Sequence, residues 1–312
     1  MMDVFTFGET MIRLSPPDGL RIETAGRFEA AVGGSESNVA VALARLGKRA
    51  MWFSHLPDHP LGGYVANTLR GYGVDVSAVR FVPGERMGMY YLESGTPPRP
   101  ARVWYDRAGS AASKMQPDDL PFDRIKAARW LHLTGITPAL SASCAATIRA
   151  ALEFARANNI RTSFDVNYRA LLWSPSNAAA ACALLCEMAD VVFVAKRDAL
   201  NLFGEESAEK LRAVWGGTVV VTRGADGAEG CDGAETAQVP ALPVTMVDRL
   251  GAGDALAAGV ICKLLEDAPL VEALRFGCAS AALKLTIRGD LAIYSRAEVE
   301  ALVVSGTGAI LR

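Results

Sequence analysis

The sequence predicts an α/β fold: a doubly wound, mostly parallel central sheet flanked by helices, with a small β-sheet lid. Three observations predict it. Short apolar runs alternate with helical patterns along most of the chain, two glycine segments open helical patterns, and two regions break the alternation. Strands are expected at residues 4–7, 50–54, 130–134, 162–166, 191–194 and 219–222. Helical patterns fall between them at 61–72, 143–157, 177–188 and 208–215. The irregular regions, about 9–32 and 88–107, carry short β-like runs, turns at Pro16-Pro17 and Pro97-Pro98, and no helix of convincing length. They are expected to form a small sheet projecting from the main body. No repeat, low-complexity tract or interdomain linker divides the chain, so residues 1–312 are expected to form one domain.

Composition narrows the function classes. With 312 residues and 51% apolar content the chain can bury a large core. A formal charge of −2 gives no electrostatic case for nucleic acid or an anionic membrane. The six cysteines, Cys144, Cys182, Cys186, Cys231, Cys262 and Cys278, lack close CxxC pairs and read as buried free thiols. The start of the chain enters a strand without a basic segment, and no run reaches the roughly 20 apolar residues needed to span a bilayer. A cytoplasmic location is the expectation. His55, His59 and His132 show no ligand spacing, and His132, in an apolar strand, reads as a core histidine.

The chemistry is concentrated in Asp248-Arg249-Leu250-Gly251-Ala252-Gly253-Asp254, which runs into an apolar helical pattern over 255–265. Glycines here let the chain turn tightly and present bare N–H groups, and a helix N-terminus attracts an anion. Asp254, in the first turn, can then take a proton from a hydroxyl that attacks a bound phosphate. The same tetrapeptide also suits a plain strand-to-helix turn. A second segment, Val32-Gly33-Gly34-Ser35-Glu36-Ser37-Asn38 and onward to Gly47, reads as a glycine loop, a capping Ser35 and a short buried helix. A third, Val219 to Gly227, is a buried strand entering a glycine-rich turn, where Thr222, Arg223, Gly224 and Gly227 could carry phosphate or ribose contacts or simply turn the chain.

Taken together, the Gly33-Gly34 and Gly251-Ala252-Gly253-Asp254 segments resemble the paired signatures of the ribokinase-like, or PfkB, carbohydrate kinases, across essentially the whole chain. Phe164-Asp165-Val166-Asn167-Tyr168-Arg169, Leu131 to Pro138 and Tyr105 to Ala111 are most similar to the 2-keto-3-deoxygluconate kinases. The resemblance implies ATP with Mg²⁺, and a nucleotide bordered by Asn167 to Arg169, Thr222 to Gly227 and Gly251 to Asp254. It implies a sugar-acid site in which Arg107 and Arg169 hold the carboxylate. Arginine suits that task through paired hydrogen bonds. Tyr90 and Tyr105 would be lid tyrosines, Gly34 a close-approach glycine under the sugar, and Asp290 a further substrate contact. The lid strands of such kinases cover the sugar and often form a contact in a homo-oligomer.

Two departures stand out. Arg249 replaces the usual Pro, Ser, Thr or Val, which would alter the phosphate approach or a nearby monovalent-cation site. Asp198, in Ala195-Lys196-Arg197-Asp198, stands where relatives place a glutamate that organises Mg²⁺ through water. The expected reaction is phosphorylation of 2-keto-3-deoxygluconate to its 6-phosphate. A kinase for a neutral sugar or nucleoside, such as ribose, fructose or adenosine, and a catalytically idle sugar-binding relative are the alternatives. The chain lacks GxxxxGK[ST] and protein-kinase segments, and its late glycines do not fit a dinucleotide-dependent oxidoreductase.

Overall fold

The computed structural model describes residues 2–95 and 98–306, so Pro97 of the expected Pro97-Pro98 turn lies outside the described residues. In chain order the strands are β1 (Met2–Phe7), β2 (Met11–Ser15), β3 (Glu29–Gly33), β4 (Ala50–Phe53), β5 (His55–Pro57), β6 (Arg80–Val82) and β7 (Met89–Glu93). They continue with β8 (Arg102–Asp106), β9 (Ala128–Thr134), β10 (Arg161–Asp165), β11 (Val191–Ala195), β12 (Thr218–Thr222), β13 (Ala228–Cys231) and β14 (Thr236–Val239). The large sheet has the order β14-β13-β12-β11-β10-β9-β1-β4. It is parallel from β4 to β12 and antiparallel at β13 and β14. All six expected strands are present, as β1, β4, β9, β10, β11 and β12.

Strand periodicity explains why the sheet is covered on both faces. Along β11, Val191 and Phe193 enter one core while Val192 and Val194 enter the other. Along β12, Val220 joins the first core, and Val219 and Val221 the second. Strands with two apolar faces need helices on each side, which parallel crossovers supply. Helices Ser35–Arg45, Ala252–Leu264 and Leu270–Leu285 contribute to the first core, and Ala142–Ala157, Pro175–Met188 and Ala208–Trp215 to the second. All six cysteines are free and buried. His132 is a core residue as expected: its Nδ1 lies 2.8 Å from Ser163 Oγ, and burial pushes its pKa down to about 3.

The two irregular regions supply a second sheet of order β3-β2-β7-β8. Its β2 and β7 are parallel and its other pairs antiparallel. Between β2 and β3 the described chain makes only one 3-10 turn, Ile22–Thr24. No helix among the described residues is long and apolar enough to cross a membrane.

Candidate active site

Because strands β4 to β12 run parallel, their carboxyl ends share one edge of the large sheet, where ligands of such sheets gather. A cleft of about 1290 Å³ lies between that edge and the small sheet. On one side it is lined by Asp165, Asn167, Arg169, Asp198, Thr222 and the turn from Met246 to Asp254; on the other by Arg13, Leu92, Val103 and Tyr105.

The glycine turn is built by backbone geometry. Gly251 has φ +78°, and a Cβ there would lie 2.0 Å from the Asp290 carbonyl oxygen, so glycine is required on both counts. Helix Ala252–Leu264 starts immediately after it. The first N–H groups of a helix have no partner within it. At Gly253 an added Cβ meets no atom within 4 Å, which leaves this end of the helix open.

Asp254 is buried and fixed by both oxygens. Ser35 Oγ donates to its Oδ1 at 2.6 Å, and Asn38 Nδ2 to its Oδ2 at 2.7 Å. Asn167 Nδ2 in turn donates to Ser35 Oγ at 2.6 Å. Burial raises the Asp254 pKa, while these hydrogen bonds and the charges of Arg169 and Lys284 oppose the rise. The outcome is an oriented carboxylate that is a stronger base than one in water. Ser35 is therefore not the helix cap: Gly34 occupies the cap position of Ser35–Arg45, and the serine hydroxyl is turned to Asp254 instead.

Asp165, at the end of β10, is the second carboxyl of the cleft. Its Oδ1 accepts the Asn167 N–H at 3.1 Å, while burial, then the charge of Asp254, pushes its pKa to about 8. Two neighbouring buried carboxyls do not both ionise at neutral pH. Asp254, with two side-chain donors, is the better site for the charge.

The expected acid-binding residues separate. Arg169 lines the cleft, and among the described residues its Nη1 donates only to the carbonyls of Asn167 (3.4 Å) and Tyr168 (3.2 Å). Arg107 is buried beside the small sheet. Its Nε donates to Glu9 Oε2 at 2.7 Å, its guanidinium lies 5.4 Å from the Tyr105 ring centroid, and it is not among the residues lining the cleft. Tyr105 does line the cleft, with its ring centroid 5.8 Å from that of Tyr90. Tyr90 is buried, and its hydroxyl donates to Asp290 Oδ2 at 2.6 Å. At Gly34 the close approach is to the chain itself, since a Cβ there would meet the Glu9 carbonyl oxygen at 2.2 Å.

The expected nucleotide residues also divide. Asn167 and Thr222 line the cleft. Arg223 does not: it pairs with Glu229 and donates to the Glu206 carbonyl at 3.0 Å. Gly224 and Gly227 serve the turn into β13; Gly227 has φ +92°, and a Cβ there would lie 2.0 Å from the Val239 carbonyl oxygen. Asp198 lines the cleft and accepts from Arg197 Nε at 3.1 Å, while Lys196 pairs with Glu206 at 3.3 Å. Arg249 lies exposed on the cleft wall. Arg13, Ser35, Asn38 and Asp165 belong to this constellation, although none of them is given a site role in the sequence patterns above. The strand-end position of Asp165, two residues before Asn167, is the available signal.

The pfkB family carbohydrate kinase model matches residues 1–295. The chain is 44% identical to a 2-dehydro-3-deoxygalactonokinase of Haloferax volcanii, over 99% of each chain. It is 34% identical to a 2-dehydro-3-deoxygluconokinase of Thermoproteus tenax, over 97% of this chain and 94% of that one. A solved structure of a 2-dehydro-3-deoxygluconokinase from Thermotoga maritima superposes with a TM-score of 0.89 at 32% identity, covering 98% of this chain and 100% of the other. Its fold, its paired glycine segments and these matches make the chain a member of the pfkB family of carbohydrate kinases.

Proposed function

We propose that this kinase transfers the γ-phosphoryl group of ATP to the terminal primary hydroxyl of a 2-keto-3-deoxy sugar acid, most simply 2-keto-3-deoxygluconate, giving its 6-phosphate. One observation carries the reading. The cleft holds an oriented carboxylate, Asp254, beside the open N-terminal turn of Ala252–Leu264, together with Arg169, whose guanidinium among the described residues donates only to backbone carbonyls. Asp254 accepts the proton of the attacking hydroxyl. The amides of Gly251, Ala252 and Gly253 take up charge developing on the transferred group. Arg169 holds the acid end and Tyr105 lies beside the sugar, with Tyr90, Asp290 and Arg107 behind the cleft wall. The names of the relatives, 2-dehydro-3-deoxygalactonokinase and 2-dehydro-3-deoxygluconokinase, support a sugar acid of this class.

The small sheet is the lid over the acceptor, and Asn167 and Thr222 border the nucleotide. Among the described residues, no group of three or more His, Cys, Asp or Glu side chains is arranged to hold a metal. Asp165, Asp198 and Asp254 nevertheless line one cleft, which fits Mg²⁺ carried mainly by phosphates and water. When bound, Mg²⁺ neutralises charge on the β- and γ-phosphates. The exposed β8 residue Trp104, on the strand face opposite Tyr105, supports a homo-oligomer contact through the lid. Purified protein with ATP and Mg²⁺ is to be tested against acidic and neutral sugars, with the phosphorylated position read by NMR. Transfer to the terminal carbon of a keto-deoxy acid is expected; preference for ribose, fructose or adenosine, or binding without ATP consumption, refutes the reading.

A further inference from the structure

Arg13 is a cation on the small sheet for which neither the sequence patterns nor the reaction above has a role. It is 5% exposed, and a single nitrogen, Nη1, donates to Asp290 Oδ1 at 2.7 Å and Asp248 Oδ2 at 3.2 Å. Each carboxylate is also tied elsewhere. Asp290 accepts from Tyr90 of β7 at 2.6 Å. Asp248 accepts the N–H of Leu250 at 3.1 Å and that of Gly289 at 3.0 Å. Buried Lys284 adds a hydrogen bond to the Asp248 carbonyl at 3.3 Å. One guanidinium thus joins two strands of the small sheet to the chain on both sides of Gly251, whose own close neighbour is the Asp290 carbonyl.

We propose that Arg13 is a positioning residue that sets the small sheet in register with the glycine turn, so that an acceptor held under the sheet meets the transferred phosphoryl group in line. The proposal deepens the reading of the cleft as a phosphoryl-transfer site and rests on it. Removing the guanidinium leaves the buried Asp290 and the part-buried Asp248 without their shared partner, and both segments must shift to rehydrate or separate them. A displacement of about 1 Å between reacting groups costs on the order of 10²-fold in rate.

The test is steady-state kinetics of Arg13→Met and Arg13→Lys on the best acceptor from the sugar panel, with circular dichroism and melting to verify folding. Arg13→Met is expected to lose about 10²-fold in kcat with a much smaller rise in the KM for ATP. Because both contacts leave one nitrogen, Arg13→Lys is expected to recover most of that loss, which a purely steric role does not predict. Wild-type kcat in folded Arg13→Met overturns the proposal. If Arg13→Met does not fold, Asp248→Asn decides, since it keeps the Arg13–Asp290 link and weakens the one to the turn: a fall in kcat with acceptor KM retained supports the register role, and unchanged kcat overturns it. A neutral best acceptor would refute the sugar-acid reading alone, because the split between kcat and KM is read on whichever acceptor is used.

Discussion

Two glycine-rich turns, 222–227 and 248–254, look alike as sequence and behave differently as structure. Both come after apolar stretches, and both contain a positive-φ glycine wedged against a carbonyl oxygen 2.0 Å from where a Cβ would be: Val239 for Gly227 and Asp290 for Gly251. The first leads β12 through a 3-10 turn, Gly224–Asp226, back into antiparallel β13, with the Arg223 N–H donating to the Gly227 carbonyl at 2.7 Å and the Arg223 side chain paired with Glu229. The second opens a helix of 13 residues whose first turn faces the cleft. Glycine content alone does not set what a turn presents to the cleft; the element entered after the glycine, hairpin or helix, does.

Mutations can break this comparison. The largest effect is expected at the second turn, where Asp254→Asn removes the base: kcat should fall by about 10²- to 10⁴-fold with modest change in substrate KM. Next, Arg169→Ala should raise the KM for an acidic acceptor by roughly 10- to 10²-fold, the scale of a lost charge-assisted hydrogen bond, and leave a neutral acceptor nearly indifferent. Equal effects on both acceptors would remove Arg169 from acid recognition. At the first turn, Gly227→Ala should cost about 1–3 kcal/mol of stability through its strained φ and leave kcat of the folded enzyme unchanged. A selective loss of kcat there would restore the first turn to the active site.

The smallest effect is on stability against pH. Burial pushes the pKa of Asp165 to about 8 and that of Glu36 to about 7. Glu36 is buried with one oxygen accepting from Thr134 at 2.8 Å and Thr137 at 2.7 Å. Both values lie above the roughly 4 of an unfolded carboxyl, so between about pH 4 and 8 the folded state binds more protons than the unfolded one. Their contribution to stability is full below that range and is lost as pH rises through it. Melting should occur at lower temperature at pH 8 than at pH 5, and Asp165→Asn should flatten the slope. An unaltered slope in that variant would contradict the shifted carboxyl.

Legibility in the sequence depends on the range of the interactions. Strands β11 and β12 are contiguous apolar runs and are legible from those runs alone. The small sheet is legible as an interruption, but not the pairing of β2 with β7, which joins segments some 75 residues apart in parallel. Helix Leu270–Leu285 carries little signal because it is buried on most sides, from Leu270 and Ala273 through Phe276 to Lys284, and lacks a polar face to mark its period. Within the site, Asp254 and the glycine turn are legible because a local pattern implies their chemistry. The Ser35 hydroxyl reads as a cap, because that is its local use, and only the partner 219 residues away assigns it to Asp254. Arg13 has no local pattern at all, its partners lying 235 and 277 residues along the chain. Arg107 shows the converse: the motif around it is distinctive, yet Glu9 holds its guanidinium away from the cleft wall.

The most direct measurement is single-turnover phosphoryl transfer by Asp254→Asn with both substrates saturating, beside wild type and Gly227→Ala, since it separates the chemical step from binding and release. Slow transfer in Asp254→Asn alone, with both substrates still bound, is the expected result. Transfer at the wild-type rate would contradict the assignment of Asp254 as the base.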